Sequence, residues 1–199
     1  GQDCAAGTRV LVQAGIAKEF TAALAKKVAE FKFGSPENDD HFYGALNSQN
    51  QLDRVQGFID RLPSHAEILT GGKAQRLNGG YYFEPTLIAG LKQDDEMIQT
   101  EVFASVQTIQ TFKDEAQAIE MANDVDFGLA ASIWSENHGK VIRTSQDLDF
   151  GQVWVNCHLV QAAEMPNGGF KHSGHGNDLS TEAIEGYTRV KHIMSLTGR

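Results

Sequence analysis

The chain has 199 residues, 41% of them hydrophobic and 22% charged, with two cysteines and a net charge of −9 from 17 basic and 26 acidic side chains. That length and balance suit one folded domain over 1–199 with a real core. The acidic surplus argues against a nucleic-acid face, no apolar run reaches the length of a membrane-spanning helix, and two cysteines make no disulfide framework, so a reducing compartment, the cytoplasm, is expected.

Gly1-Gln2-Asp3-Cys4 opens the chain, just ahead of the apolar run Val10-Leu11-Val12. Residues 8–14 read as a strand. Residues 17–32 read as an amphipathic helix, with Phe20, Leu24, Val28 and Phe31 on one face. Residues 33–48 read as a loop broken by Gly34, Ser35 and Pro36. A second helix is expected over 49–61, with Leu52, Val55, Ile59 and Leu62 as its stripe. A short strand follows at 66–70, then short apolar pieces at 81–83 and 86–91 around Pro85.

The next stretch alternates. Residues 106–112 read as a strand, and Asp114 caps a helix with Gln117 as its box partner. Residues 129–134 read as a strand, 137–148 as a helix and 152–155 as a strand. Strand, helix, strand, helix, strand predicts right-handed parallel crossovers, hence an α/β fold with a parallel-rich twisted sheet and flanking helices. Residues 187–196 alternate like an edge or docking strand.

Several groups carry chemistry. A thiolate attacks carbonyl carbon when its pKa is lowered or a base lies near it, and Cys4 after a tight Gly-Gln-x element is such a candidate. Alone, a single cysteine is more often a buried hydrophobe. Glu101-Val102-Phe103, read alone, is a solvated acid beside a core aromatic. The glycines at 168, 169, 174 and 176 form no phosphate-binding signature, and a tight structural loop is the better reading. Cys157, His158, His172 and His175 lack a Cys-x-x-Cys partner and set two donors side by side, so no metal site is assigned to them. Trp134 and Trp154 read as core.

Taken together these motifs resemble the catalytic domain of the NAD(P)-dependent aldehyde dehydrogenases. The match runs in order along the chain: Gly1-Gln2-Asp3-Cys4, Glu101-Val102-Phe103, Val155-Asn156, the Pro-x-Gly-Gly-x-Lys-x-Ser-Gly-x-Gly run at 166–176, and Tyr187-Thr188-Arg189-Val190-Lys191. Gly1-Gln2-Asp3-Cys4, residues 80–87 and Glu164-Met165-Pro166 look most like the betaine-aldehyde and 4-aminobutyraldehyde branch.

The resemblance implies an aldehyde oxidised to its acid through a Cys4 thiohemiacetal and thioester, with NAD or NADP as cofactor. Glu101 would accept from ribose hydroxyls and Phe103 would pack the nicotinamide. His158, Leu159, Gln161 and Asn167 would wall the substrate pocket. Gln161 and Asn167 stand where aromatics are common, which suits a polar or aminated aldehyde. Asp178 is a candidate proton relay, and the backbone at Lys171 and Gly174 a candidate monovalent-cation site. Ala104-Ser105 replaces the family's usual Gly-Pro, which predicts a looser turn beside the cofactor. The resemblance further implies that the dinucleotide-binding domain, the oxyanion Asn and the Glu base belong to sequence N-terminal to this stretch. The chain alone is then expected to be inactive, and the parent to be a homo-oligomer. Competing expectations are a CoA-acylating relative, a non-catalytic interaction domain, and a cysteine hydrolase using His158 or His172.

Overall fold

Alternating apolar residues and the helical stripe set the first elements of a computed structural model that describes residues 1–198. Strand β1 (Arg9–Gln13) is followed by helix α1 (Ala17–Ala29) and helix α2 (Gln49–Asp60). Then come β2 (Glu67–Thr70), β3 (Ala74–Leu77), β4 (Gly80–Phe83), β5 (Thr86–Ala89), the short α3 (Glu96–Gln99), β6 (Val106–Phe112) and α4 (Glu115–Asn123). The remaining elements are β7 (Phe127–Gly128), β8 (Ala130–Ile133), α5 (His138–Asp147), β9 (Gln152–Val155), β10 (Asn167–Gly168), β11 (Phe170–Lys171), β12 (Asn177–Asp178) and α6 (Ser180–Tyr187). The described residues form two compact units, Gly1–Val125 and one that begins at Asp126.

The first unit is built on a four-stranded sheet in the order β1-β6-β5-β2. β1 and β5 both run parallel to β6, and β2 closes the sheet antiparallel to β5. Strand period two sends neighbouring residues to opposite faces. Ile88 and Val106 join Leu52, Val55 and Phe58 of α2 in one cluster, with Phe83, Met97 and Ile98. Leu87 and Ile109 join Val12 and Val28 in the other, beneath α1. The α/β reading therefore holds.

Helix ends follow their caps. Ser48 begins α2 by accepting from Gln51 N at 3.2 Å. Asp114 accepts from Gln117 N at 3.0 Å, while the Gln117 amide oxygen takes Lys113 N at 2.8 Å, one residue before the cap itself. α1 stops at Ala29 rather than at 32. Phe31 leaves the helix to stack on Phe42, with ring centroids 4.4 Å apart. The stripe of α2 holds through Leu52 and Val55, with Phe58 as a further buried member.

Two strand expectations are corrected, and one hairpin is new. β6 and β8 do not share a sheet: β8 pairs with β9 in parallel across α5, and β6 belongs to the four-stranded sheet. The β3–β4 hairpin, with Leu77 opposite Gly80, is not in the sequence reading. Its Asn78-Gly79 turn has φ of 50° and 81°, the left-handed pair that two-residue hairpins require. Residues 187–196 form no strand. Tyr187 ends α6, and Val190, Ile193, Met194 and Leu196 are exposed, because a lone alternating segment has no ladder to join. No helix among the described residues is long and apolar enough to cross a membrane.

Candidate active site

The Cys4 turn is closed by Asp3. Ala5 N donates to Asp3 Oδ1 at 2.9 Å and Ala6 N to Asp3 O at 3.1 Å. Ala5 is buried and anchors the turn, while Cys4 is exposed with a free thiol. The Cys4 amide donates to no group among the described residues. A nucleophile with an unused amide beside it is what an oxyanion site needs. The segment before it is pinned at both ends. A Cβ on Gly1 would lie 2.1 Å from the carbonyl of Ala104, so only glycine permits that approach. Gln2 exchanges two hydrogen bonds with Asn47, at 3.1 and 2.8 Å.

Glu101, Phe103 and Ala104 belong to this same unit. Glu101 is exposed, and its carboxylate makes no ion pair among the described residues. Phe103 is half-buried between buried Val102 and Ala104, and its φ of 60° is unusual for a side chain of that size. The expected looseness at Ala104-Ser105 is absent. Ser105 Oγ donates to Phe83 O at 2.9 Å, Thr86 N donates to Ser105 O at 2.9 Å, and Ala104 is 1% exposed. Tyr43 adds a second donor to the Phe83 carbonyl, at 2.7 Å. Burial pushes its phenol up to about 12; a Ser105 hydrogen bond opposes this and the Glu84 charge adds to it.

The second unit carries the other expected residues. Asn167 and Asp178 face each other in the β10–β12 pair, and Asn167 Oδ1 accepts from Gln152 at 2.5 Å. His158 meets Trp154 edge-on, with centroids 4.9 Å apart, and Trp154 Nε1 donates to Val160 O. Leu159 and Gln161 are exposed. Lys171 pairs in β11 opposite Phe127, and its ammonium lies 3.4 Å from Asp149. Gly174 has φ of 126°. Among the described residues, and apart from Asn78 in its hairpin, the side-chain-bearing residues with positive φ are Phe103, Asn156, Leu159, Lys171, Leu179 and Ser180. All of them lie in or beside the expected site segments, and such strain clusters where function over-determines the backbone.

A model of the aldehyde dehydrogenase family matches residues 1–193. The chain belongs to the aldehyde dehydrogenase family. An aldehyde dehydrogenase of Emericella nidulans is 40% identical over 194 residues, covering 97% of this chain and 39% of that protein. A betaine aldehyde dehydrogenase of Bacillus subtilis is 36% identical over 201 residues, covering 99% of this chain and 41% of its own length. Among solved structures, a betaine aldehyde dehydrogenase point mutant from Staphylococcus aureus superposes with a TM-score of 0.92 at 36% identity, over 96% of this chain and 40% of that one. That crystal holds NAD+ and a BME-modified cysteine. The chain thus spans about two fifths of the length of the relatives it matches.

Two polar groups in this chain escaped the sequence reading. Gln51 and Arg54, on α2, both donate to backbone carbonyls of the Glu101–Phe103 segment. No pattern in the sequence marks a side chain that serves a distant main chain.

Proposed function

We propose that this chain supplies the nucleophile and part of the cofactor and substrate walls of an enzyme that oxidises an aldehyde to its carboxylic acid. The Cys4 thiolate adds to the carbonyl carbon, and the negative charge that develops on oxygen is met by the Cys4 amide. The exposed thiol beside an unengaged amide is the single observation that carries this reading.

NAD is the proposed cofactor, supported by the NAD+ held in the Staphylococcus aureus relative. When bound, the nicotinamide supplies the hydride acceptor. Glu101 suits the ribose hydroxyls because its carboxylate is exposed and makes no ion pair among the described residues. Phe103 suits the nicotinamide because its ring is only half-buried and its backbone is held in a fixed, unusual conformation. A thioester on Cys4 is left after the oxidation, and water then releases the acid and restores the thiol. The water-activating base is proposed to come from other sequence, so residues 1–199 alone are proposed to be inactive.

His158, Leu159, Gln161 and Asn167 are the proposed substrate-facing residues of the second unit. The amides of Gln161 and Asn167 favour a polar or aminated aldehyde. Asp178 is retained as a proposed proton relay beside Asn167. The backbone at Lys171 and Gly174 is retained as a proposed monovalent-cation site. The exposed apolar residues from Val190 to Leu196 support assembly with further copies. The two thiols, free of disulfide, suit a reducing compartment such as the cytoplasm.

The test is Cys4→Ala in the native polypeptide carrying this sequence. Aldehyde oxidation should vanish while dinucleotide binding persists. Retained turnover would remove Cys4 from the reaction.

A further inference from the structure

Residues 101–103 have no ladder partner, so their carbonyls must find donors elsewhere. They find them on one helix face. Gln51 Nε2 donates to Val102 O and to Phe103 O, each at 2.9 Å. Arg54 donates through Nη1 to Val102 O at 2.7 Å and through Nη2 to Glu101 O at 2.5 Å. Two side chains three residues apart on α2 therefore hold three successive carbonyls. The helix behind them is packed into the core. Leu52, Val55 and Phe58 are buried beneath it, and the Arg54 guanidinium stacks 4.8 Å from the centroid of the Phe58 ring. The segment leading into the same helix is tied to the nucleophile's segment. Gln2 bonds Asn47, the residue before the Ser48 cap.

We propose that Gln51 and Arg54 are positioning residues. They fix the Glu101–Phe103 segment against α2, the helix to which the Cys4 segment is also docked, and so set where the nicotinamide-facing groups stand relative to the thiol. The proposal rests on the cofactor role given above to Glu101 and Phe103. The physical need is plain. Phe103 sits at φ 60°, where a bulky residue does not stay unaided, and its two neighbours on the chain are buried while its own ring is not. Donors on both sides of the strained residue hold the segment in that conformation. Arg54 is suited to the task because its rigid planar fork presents two pre-oriented N–H donors to adjacent carbonyls, where an ammonium offers only freely rotating donors on a flexible stem. Misplacing reacting groups by about 1 Å costs roughly a hundredfold in rate.

The experiment uses Gln51→Met, Arg54→Met, the pair together, and Arg54→Lys, all in the native polypeptide carrying this sequence. Two quantities are read: amide hydrogen exchange across residues 101–104, and single-turnover hydride transfer to NAD, each with and without Glu101→Gln. The double variant should raise exchange at those amides by roughly tenfold or more, with the exchange of β5 and β6 unchanged. Hydride transfer should slow by roughly ten- to a hundredfold. Adding Glu101→Gln to it should cost little more, because groups that act through one another are not additive. Arg54→Lys should recover part of the loss. Unchanged exchange at 101–104 overturns the proposal, and so do kinetic losses that simply multiply. If Glu101→Gln alone leaves hydride transfer untouched, the cofactor reading falls and takes the positioning role with it. The exchange readout tells that outcome from a clamp that does not exist.

Discussion

Tyr43→Phe tests how the turn after Phe103 is held. The Phe83 carbonyl, within a residue that is fully buried, receives the Tyr43 hydroxyl at 2.7 Å and the Ser105 hydroxyl at 2.9 Å. Removing either donor leaves the other in place, so each single variant should cost about 1 kcal/mol, the net worth of one hydrogen bond. Tyr43→Phe with Ser105→Ala removes both. The carbonyl then loses its side-chain donors in a water-excluded place, and a further cost of about 1–3 kcal/mol follows. The double variant should therefore exceed the sum of the singles, with a coupling on the order of 1 kcal/mol. Urea unfolding of the four proteins measures this directly. The pH dependence provides a second arm. The folded phenol titrates at about 12, above its ordinary value of about 10, with burial as the main cause. Its stabilising share is fully present below pH about 10 and is lost as pH rises through about 12. Tyr43→Phe should lack that alkaline loss. Additive costs, or an alkaline profile identical in both proteins, would refute the shared-carbonyl account.

Two further outcomes follow from the same structure. The Arg61–Glu96 pair, 2.8 Å apart and bidentate, holds the Glu96 carboxyl below its ordinary range, chiefly through the hydrogen bond from Arg61. The pair is half exposed, so solvent screens its contribution; that contribution is present above the ordinary glutamate range and fades as pH falls through the lowered folded value, and Glu96→Gln should remove that acid-side slope in pH-dependent unfolding. If the proposed assembly forms through this segment, Val190→Asp with Leu196→Asp should lower the particle mass read by light scattering, since both side chains are almost fully exposed; an unchanged mass would overturn that placement.

Elements with a strong period were legible. β6 and β9 match their expected bounds because the β-branched runs Val106–Phe112 and Gln152–Val155 admit no helix. The Asp114 cap was legible because capping is local chemistry. α6 was not, since Ser180–Tyr187 carries Gly186 and buries no residue, leaving no apolar stripe to read. The 187–196 segment shows the opposite failure: alternation marks what a strand would bury, but not whether a neighbour supplies the ladder. The candidate site divides in the same way. Cys4, Glu101 and Phe103 stand out as motif residues. Gln51, Arg54 and Tyr43 serve main-chain carbonyls about 40 to 50 positions away, and a contact of that kind leaves no periodic trace.

The central claim is that Cys4 carries the acyl group. The direct measurement is mass spectrometry of the native polypeptide carrying this sequence, quenched in acid during a single turnover with an aldehyde and NAD. The account predicts an acyl mass on the peptide containing Cys4, appearing with the reduced cofactor and decaying as the acid is released. The same adduct on the Cys157 peptide, or turnover with no thioester at either cysteine, would contradict it.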